Sequence, residues 1–129
     1  MRRVHVATAD ELTPFAVELR EALTRNGAQL ARAASAADAV VRVSRDRTGR
    51  QVLSVSARNT PEEFEVFYDV EYSIDRAGQE AVPSQTLRLT RTFSFDESEL
   101  LAKDREEDIL REAMARDIAT LVVRRLGSL

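Results

Sequence analysis

Side chains that commonly carry chemistry are few in this sequence, and their spacing does not favour catalysis. A serine or threonine nucleophile needs a base within hydrogen-bond reach. The single histidine, His5, lies in a run of strand-forming residues with no local serine or carboxylate arrangement to activate it. His5 therefore reads as a strand residue, at the surface or satisfied in the core. The sequence has no cysteine, which removes disulfides, thiolate metal sites and cysteine nucleophiles together. One histidine without thiolates is a poor match to the usual zinc ligand sets, so neither a metal nor a cofactor is expected.

Carboxylates do cluster, at Glu62-Glu63, along Glu65, Asp69 and Glu71, and at Glu106-Glu107-Asp108. An acid/base pair would require two of them to converge in a pocket that perturbs a pKa. The expectation is a solvated strand face and a solvated helix face, because Lys103-Asp104-Arg105-Glu106-Glu107 mixes signs as exposed helices do. Gly27, Gly49, Gly78 and Gly127 are scattered and form no phosphate loop. Arg88, Arg91, Lys103 and Arg105 are expected at the surface, and Arg124-Arg125 at a helix end where they oppose the dipole. Arg58 stands apart, since it ends a predicted strand and precedes Asn59-Thr60-Pro61, a loop able to present a cation on a rigid scaffold.

These groups must be positioned by a small set of elements. Val4 to Thr8 forms a short strand. Thr13 caps a helix that opens with Pro14, carries Phe15, Leu19, Ala22 and Leu23 on one face, and stops at Asn26-Gly27. Val40 to Ser44 reads as a strand, Asp46 to Arg50 as a polar turn punctuated by Gly49, and Gln51 to Arg58 as a further extended run. Strict alternation marks Phe64 to Ile74, one face apolar and the other largely acidic, and this apolar strand is a candidate exposed edge. After a turn at Asp75-Arg76-Ala77-Gly78, Gln85 to Phe95 alternates again, predicting a hairpin. Glu97 to Leu126 predicts a long helix whose stripe is Ile109, Leu110, Ala113, Met114, Ile118, Leu121 and Val122.

The order β-α-β-β-β-α gives an α+β fold, with two helices packed on one face of a four-stranded mixed sheet. The first two strands are expected to be parallel and the last three antiparallel, with the sheet order open. At 129 residues the chain fits one domain, 1–129. A formal net charge of -3 argues against a dedicated nucleic-acid binder. No run approaches the roughly 18 apolar residues of a membrane span.

Leu89-Thr90-Arg91-Thr92-Phe93-Ser94-Phe95-Asp96, followed by Leu100-Leu101-Ala102-Lys103-Asp104-Arg105-Glu106, resembles the signature end of LptE, the lipopolysaccharide-assembly lipoprotein family. The resemblance continues from Glu107 to Leu126 and, upstream, over Ala16 to Gly27. It implies a non-enzymatic role inside the outer-membrane β-barrel LptD, where the domain stabilises the barrel and contacts lipopolysaccharide. On the family's pattern, Arg58 and Lys103 match positions associated with lipopolysaccharide interaction, with Arg91 next, although its place on the apolar register also allows its stem to pack. Family precursors carry a secretory signal and a lipid-modified cysteine, and this sequence has neither. The expectation is a chain that begins after its lipid anchor, held in the full-length protein on the periplasmic side of the outer membrane. The alternatives are a free-standing α+β module that binds a small ligand or a protein, and a hydrolase using paired carboxylates.

Overall fold

The alternation between Phe64 and Ile74 sets the centre of the molecule. Phe64, Val66, Tyr68, Val70, Tyr72 and Ile74 share one face of strand β4 (Pro61–Arg76), and all are buried. A computed structural model describes residues 2–59, 61–94 and 100–129, apart from the side chains of 61, 62 and 100–104. Its other elements are β1 (Arg3–Ala7), α1 (Pro14–Arg25), β2 (Gln29–Leu30), β3 (Ala39–Val55), β5 (Gln79–Ser94) and α2 (Leu100–Gly127). They form an α+β fold in which both helices cover the apolar face of one mixed sheet of order β2-β1-β3-β4-β5. β1 runs parallel to β2 and β3, whereas β3, β4 and β5 are successively antiparallel.

The sheet has five strands rather than the expected four. The additional strand is only the pair Gln29–Leu30, too short for periodicity to reveal, which joins β1 through Arg3↔Gln29 and Val4↔Leu30. β4 is not an edge, because the hydrogen bonds of β3 and β5 occupy both its sides. The exposed edges are β2 and β5, and β5 carries Pro83 where its register with β4 shifts between Tyr72↔Gln85 and Ile74↔Val82.

The expected turn at Asp46 to Arg50 is the middle of the continuous strand β3. One extra residue at Ser44, between the pairs Val43↔Tyr72 and Arg45↔Glu71, reverses which face each later side chain occupies. Beyond that bulge Asp46, Thr48, Arg50 and Val52 pair with Val70, Tyr68, Val66 and Phe64, so they stand on the helix-covered side. Polar residues on both faces had imitated a loop.

Helix α1 forms as its capping signals dictate. Thr13 Oγ1 accepts from the Ala16 N–H at 3.0 Å, and Phe15, Ala16, Leu19, Ala22 and Leu23 are buried. Gly27, at φ +87°, makes the left-handed exit. Helix α2 buries Met114, Ala115, Ile118, Ala119, Val122 and Leu126. Of its predicted stripe, Ile109 and Leu121 instead face outward, 57% and 40% exposed, because the buried seam runs through Ala115 and Ala119. The predicted helix residues 97–99 and strand residue Phe95 lie outside the described residues.

On the uncovered side of the sheet, the acidic face is not simply solvated. Asp69 is 3% exposed. It accepts from Arg88 Nη1 at 2.9 and 3.0 Å, and from Arg47 Nε at 3.3 Å. The same guanidiniums lie 4.4 Å (Arg88) and 5.8 Å (Arg47) from the Phe67 ring centroid. Gly49 opposes Phe67 because a Cβ there would come within 2.8 Å of the ring.

The start of α1 is tied to the sheet by Tyr68, whose hydroxyl accepts from the Phe15 N–H at 3.0 Å and donates to Asp46 Oδ1 at 2.7 Å. Thr13 Oγ1 donates to the other oxygen of Asp46. Tyr68→Phe leaves two groups short of a partner, and urea unfolding is expected to show a loss of about 1–3 kcal/mol. Burial first, and the bond to Asp46 second, push the Tyr68 hydroxyl well above the usual phenol range. With the folded-state value raised, this contribution to stability is complete below about pH 10, where unfolded tyrosine begins to ionise, and it is lost as pH rises further. Tyr72 is raised the same way by burial, so Tyr68→Phe should flatten the alkaline decline only in part.

Candidate functional site

The bulge at Ser44 puts Thr48 and Arg50 beneath the first half of α2. Thr48 Oγ1 donates to the Phe67 carbonyl at 2.7 Å and accepts from Arg111 Nε at 3.2 Å. Arg111 also bonds Glu107 Oε1, and Arg50 Nη1 reaches Glu107 Oε2 at 3.2 Å. Glu107 is 5% exposed, so a carboxylate from a run expected to be solvated is enclosed by two guanidiniums. That pairing is what permits its burial, since an isolated ion there would be strongly penalised. Arg50 is held from a second side, its guanidinium carbon 4.8 Å from the centroid of Phe64, which itself stacks on Phe93 at 5.5 Å.

Beyond Arg50, β3 continues to Val55. Val52, Leu53 and Val55 are 51%, 50% and 52% exposed there, a concentration of apolar surface beside cationic groups. Arg58 is exposed in the turn that follows β3, where its N–H bonds Ser56 Oγ at 3.2 Å and Asn59 adopts φ +60°. The side chain of Lys103 lies outside the described residues, but its position in α2 is one helical turn before Glu107. Contact between Arg58 and Lys103 is therefore not among the described interactions. Arg91 stands on the helix-facing side opposite Val66 and approaches Asp117 at 3.5 Å. His5 is half-buried and donates from Nδ1 to the Ala31 carbonyl at 2.9 Å, the satisfied strand residue expected of it. Among the described residues no group of three or more histidines or carboxylates is placed to hold a metal.

The family model for LptE, lipopolysaccharide-assembly, matches residues 1–126. The chain belongs to the LptE family. Solved structures agree: the rare lipoprotein B of Shewanella oneidensis is 25% identical over 98% of this chain and 94% of that one, with a TM-score of 0.82. An uncharacterized lipoprotein B from Nitrosomonas europaea is also 25% identical, covering 97% of this chain and 81% of that chain at a TM-score of 0.80. A minor lipoprotein of Acinetobacter baumannii, 20% identical over 98% of this chain and 91% of its own, shares the fold at a TM-score of 0.77. No curated protein sequence matches the chain.

Within this LptE domain, sequence reasoning singled out Arg58 and Lys103 and passed over Arg50 and Glu107. Arg50 had been assigned to a turn, and Glu107 was one carboxylate in a mixed-sign run. The signal that could have found them was the spacing of Glu107 and Arg111, an i,i+4 pair on a helix that must face β3. Removing the carboxylate and removing its partners should not cost the same. Glu107→Gln leaves two arginines that water can reach and should cost about 1 kcal/mol. Arg50→Ala with Arg111→Ala strands a buried charge and should cost about 3 kcal/mol. Chemical denaturation of the three proteins at neutral pH measures the order, and an equal loss would contradict this account of the cluster.

Proposed function

We propose that this chain is the non-enzymatic component of the outer-membrane lipopolysaccharide translocon that plugs and stabilises the LptD β-barrel and binds lipopolysaccharide during its insertion into the outer leaflet. The observation that carries the proposal is the family match over residues 1–126. The last part of β3 and the turn after it support the proposal, because lipopolysaccharide presents phosphates and acyl chains together, and this stretch carries the exposed Arg50 and Arg58 with the exposed Val52, Leu53 and Val55 between them. Charge-assisted hydrogen bonds from arginine suit the first, and exposed aliphatic surface the second.

The shape supports a plug. β4 and β5 are each 16 residues long, about 50 Å of extended chain, comparable to a bilayer with its headgroup layers at about 40–45 Å. The uncovered face of the sheet carries Arg45, Arg47, Glu65, Glu71, Thr86, Arg88 and Thr90, a mixed-sign surface suited to the polar lumen of a large barrel. No helix among the described residues is long and apolar enough to cross a membrane. Attachment through a lipid at the amino-terminal side, on the periplasmic face of the outer membrane, belongs to the same proposal.

Two measurements test it. Co-expression of the full-length lipoprotein with its cognate LptD, followed by tagged pull-down, should give a stoichiometric complex that resists heat better than either protein alone. If two folded, correctly localised proteins form no complex, the plug is wrong and the free-standing binding module becomes the better reading. Separately, Arg58→Asp with Lys103→Asp should preserve the circular dichroism spectrum and melting profile while weakening lipopolysaccharide binding about tenfold or more, because reversed charge repels phosphate. Unchanged binding by the folded double variant would remove both residues from the site.

A further inference from the structure

Resting on that reading, we propose that Arg50 is an additional phosphate ligand of the lipopolysaccharide site, pre-aimed by Glu107 and Phe64. Three observations converge on it. Its guanidinium is fixed at two points, by Glu107 Oε2 at 3.2 Å and by the Phe64 ring at 4.8 Å, which limits the rotamer entropy an arginine would otherwise lose on binding. Its side chain is nevertheless 49% exposed, and Glu107 is its only hydrogen-bond partner among the described residues. Most of its N–H donors are thus free to grip an anion in bidentate fashion. Two arginines share the buried carboxylate, and Arg111 also lies 3.7 Å from the exposed Asp108. Glu107 is already bonded by Arg111, which is anchored in turn by Thr48, so Arg50 adds a second cation to one carboxylate.

Register places this half-exposed guanidinium where the proposed site lies. Arg111 meets Thr48 and Glu107 meets Arg50, so four residues of α2 advance together with two residues of β3, in opposite chain directions. The two steps match in length, about 6 Å of helix and about 6.6 Å of strand. One further step brings position 103 to the level of Val52. Arg50 therefore lies one strand step behind the lysine position and the first exposed valine, with Arg58 farther along the same strand and turn. A phosphate held by Arg50 would sit one strand step from the exposed aliphatic side chain of Val52.

The test uses the folded domain with three probes: bisphosphorylated lipid A, the same lipid A enzymatically stripped of both phosphates, and phosphatidylglycerol vesicles. Arg50→Gln should weaken binding of the bisphosphorylated form about tenfold and leave binding of the stripped form unchanged. Arg50→Lys keeps the charge but not the fork, so it should lose several-fold on the bisphosphorylated form. It also carries the test if Arg50→Gln does not fold. Equal loss on both forms of lipid A would mean that Arg50 only holds the structure, and loss confined to phosphatidylglycerol would overturn the assignment to lipopolysaccharide. If Arg58→Asp with Lys103→Asp abolishes binding while both Arg50 variants bind normally, this inference falls and the function stands. If the unaltered domain binds no lipid A, lipopolysaccharide binding falls with it.

Discussion

A single inserted residue at Ser44 governs how the two halves of the molecule fit together. Before it, Val41 and Val43 contribute aliphatic surface to the core. After it, the same face of β3 offers Asp46, Thr48 and Arg50, opposite Val70, Tyr68 and Val66. Each of these polar side chains meets a specific partner: Asp46 the cap of α1, Thr48 the side chain of Arg111, Arg50 the carboxylate of Glu107. Were Ser44 paired in regular register instead of bulged, Arg45, Arg47 and Gly49 would fall opposite Val70, Tyr68 and Val66 and face the helices, and neither helix would find those bonds.

Polar groups that lock secondary elements together work here because each is completed. No buried side-chain nitrogen or oxygen among the described residues lacks a partner, which is the condition for a buried polar network to specify one arrangement rather than weaken it. The apolar core of β4 and the helices supplies the driving force for collapse. The directional bonds at Tyr68 and Glu107 then choose where along the sheet each helix sits. On the opposite face, Asp69 and its two arginines do the same for neighbouring strands, bridging β3, β4 and β5 across a single row.

Much of this was legible in the sequence, wherever one residue type had one reason to be present. Thr13, Pro14 and Asn26-Gly27 bounded α1 to the residue, and the alternation of Phe64 to Ile74 identified the central strand. Parallel and antiparallel pairing followed from the connections. Legibility failed where a residue had to be judged by a distant partner. Asp46 to Arg50 looked like a turn because local polarity cannot reveal that a helix cap and a second helix lie above it. Asp69 and Glu107 looked solvated because their arginines come from other strands or from a different helical turn. Arg58 was correctly read as a cation in an exposed loop, whereas Arg50, hidden in the false turn, was not considered at all.

The two ends of α2 are fastened by different physics. From Met114 onward the helix buries six side chains in the core, while Glu107 is the only buried side chain among those described before it. Aliphatic burial is non-directional, whereas the buried carboxylate of Glu107 holds its turn only while Arg50 and Arg111 keep their bonding geometry. The helix therefore has a graded grip: amides in its second half should exchange with solvent only when the whole domain opens, and those near Glu107 through smaller excursions that break its ion pairs. One helix is thus seated by shape along its second half and by the placement of a single carboxylate along the part before it.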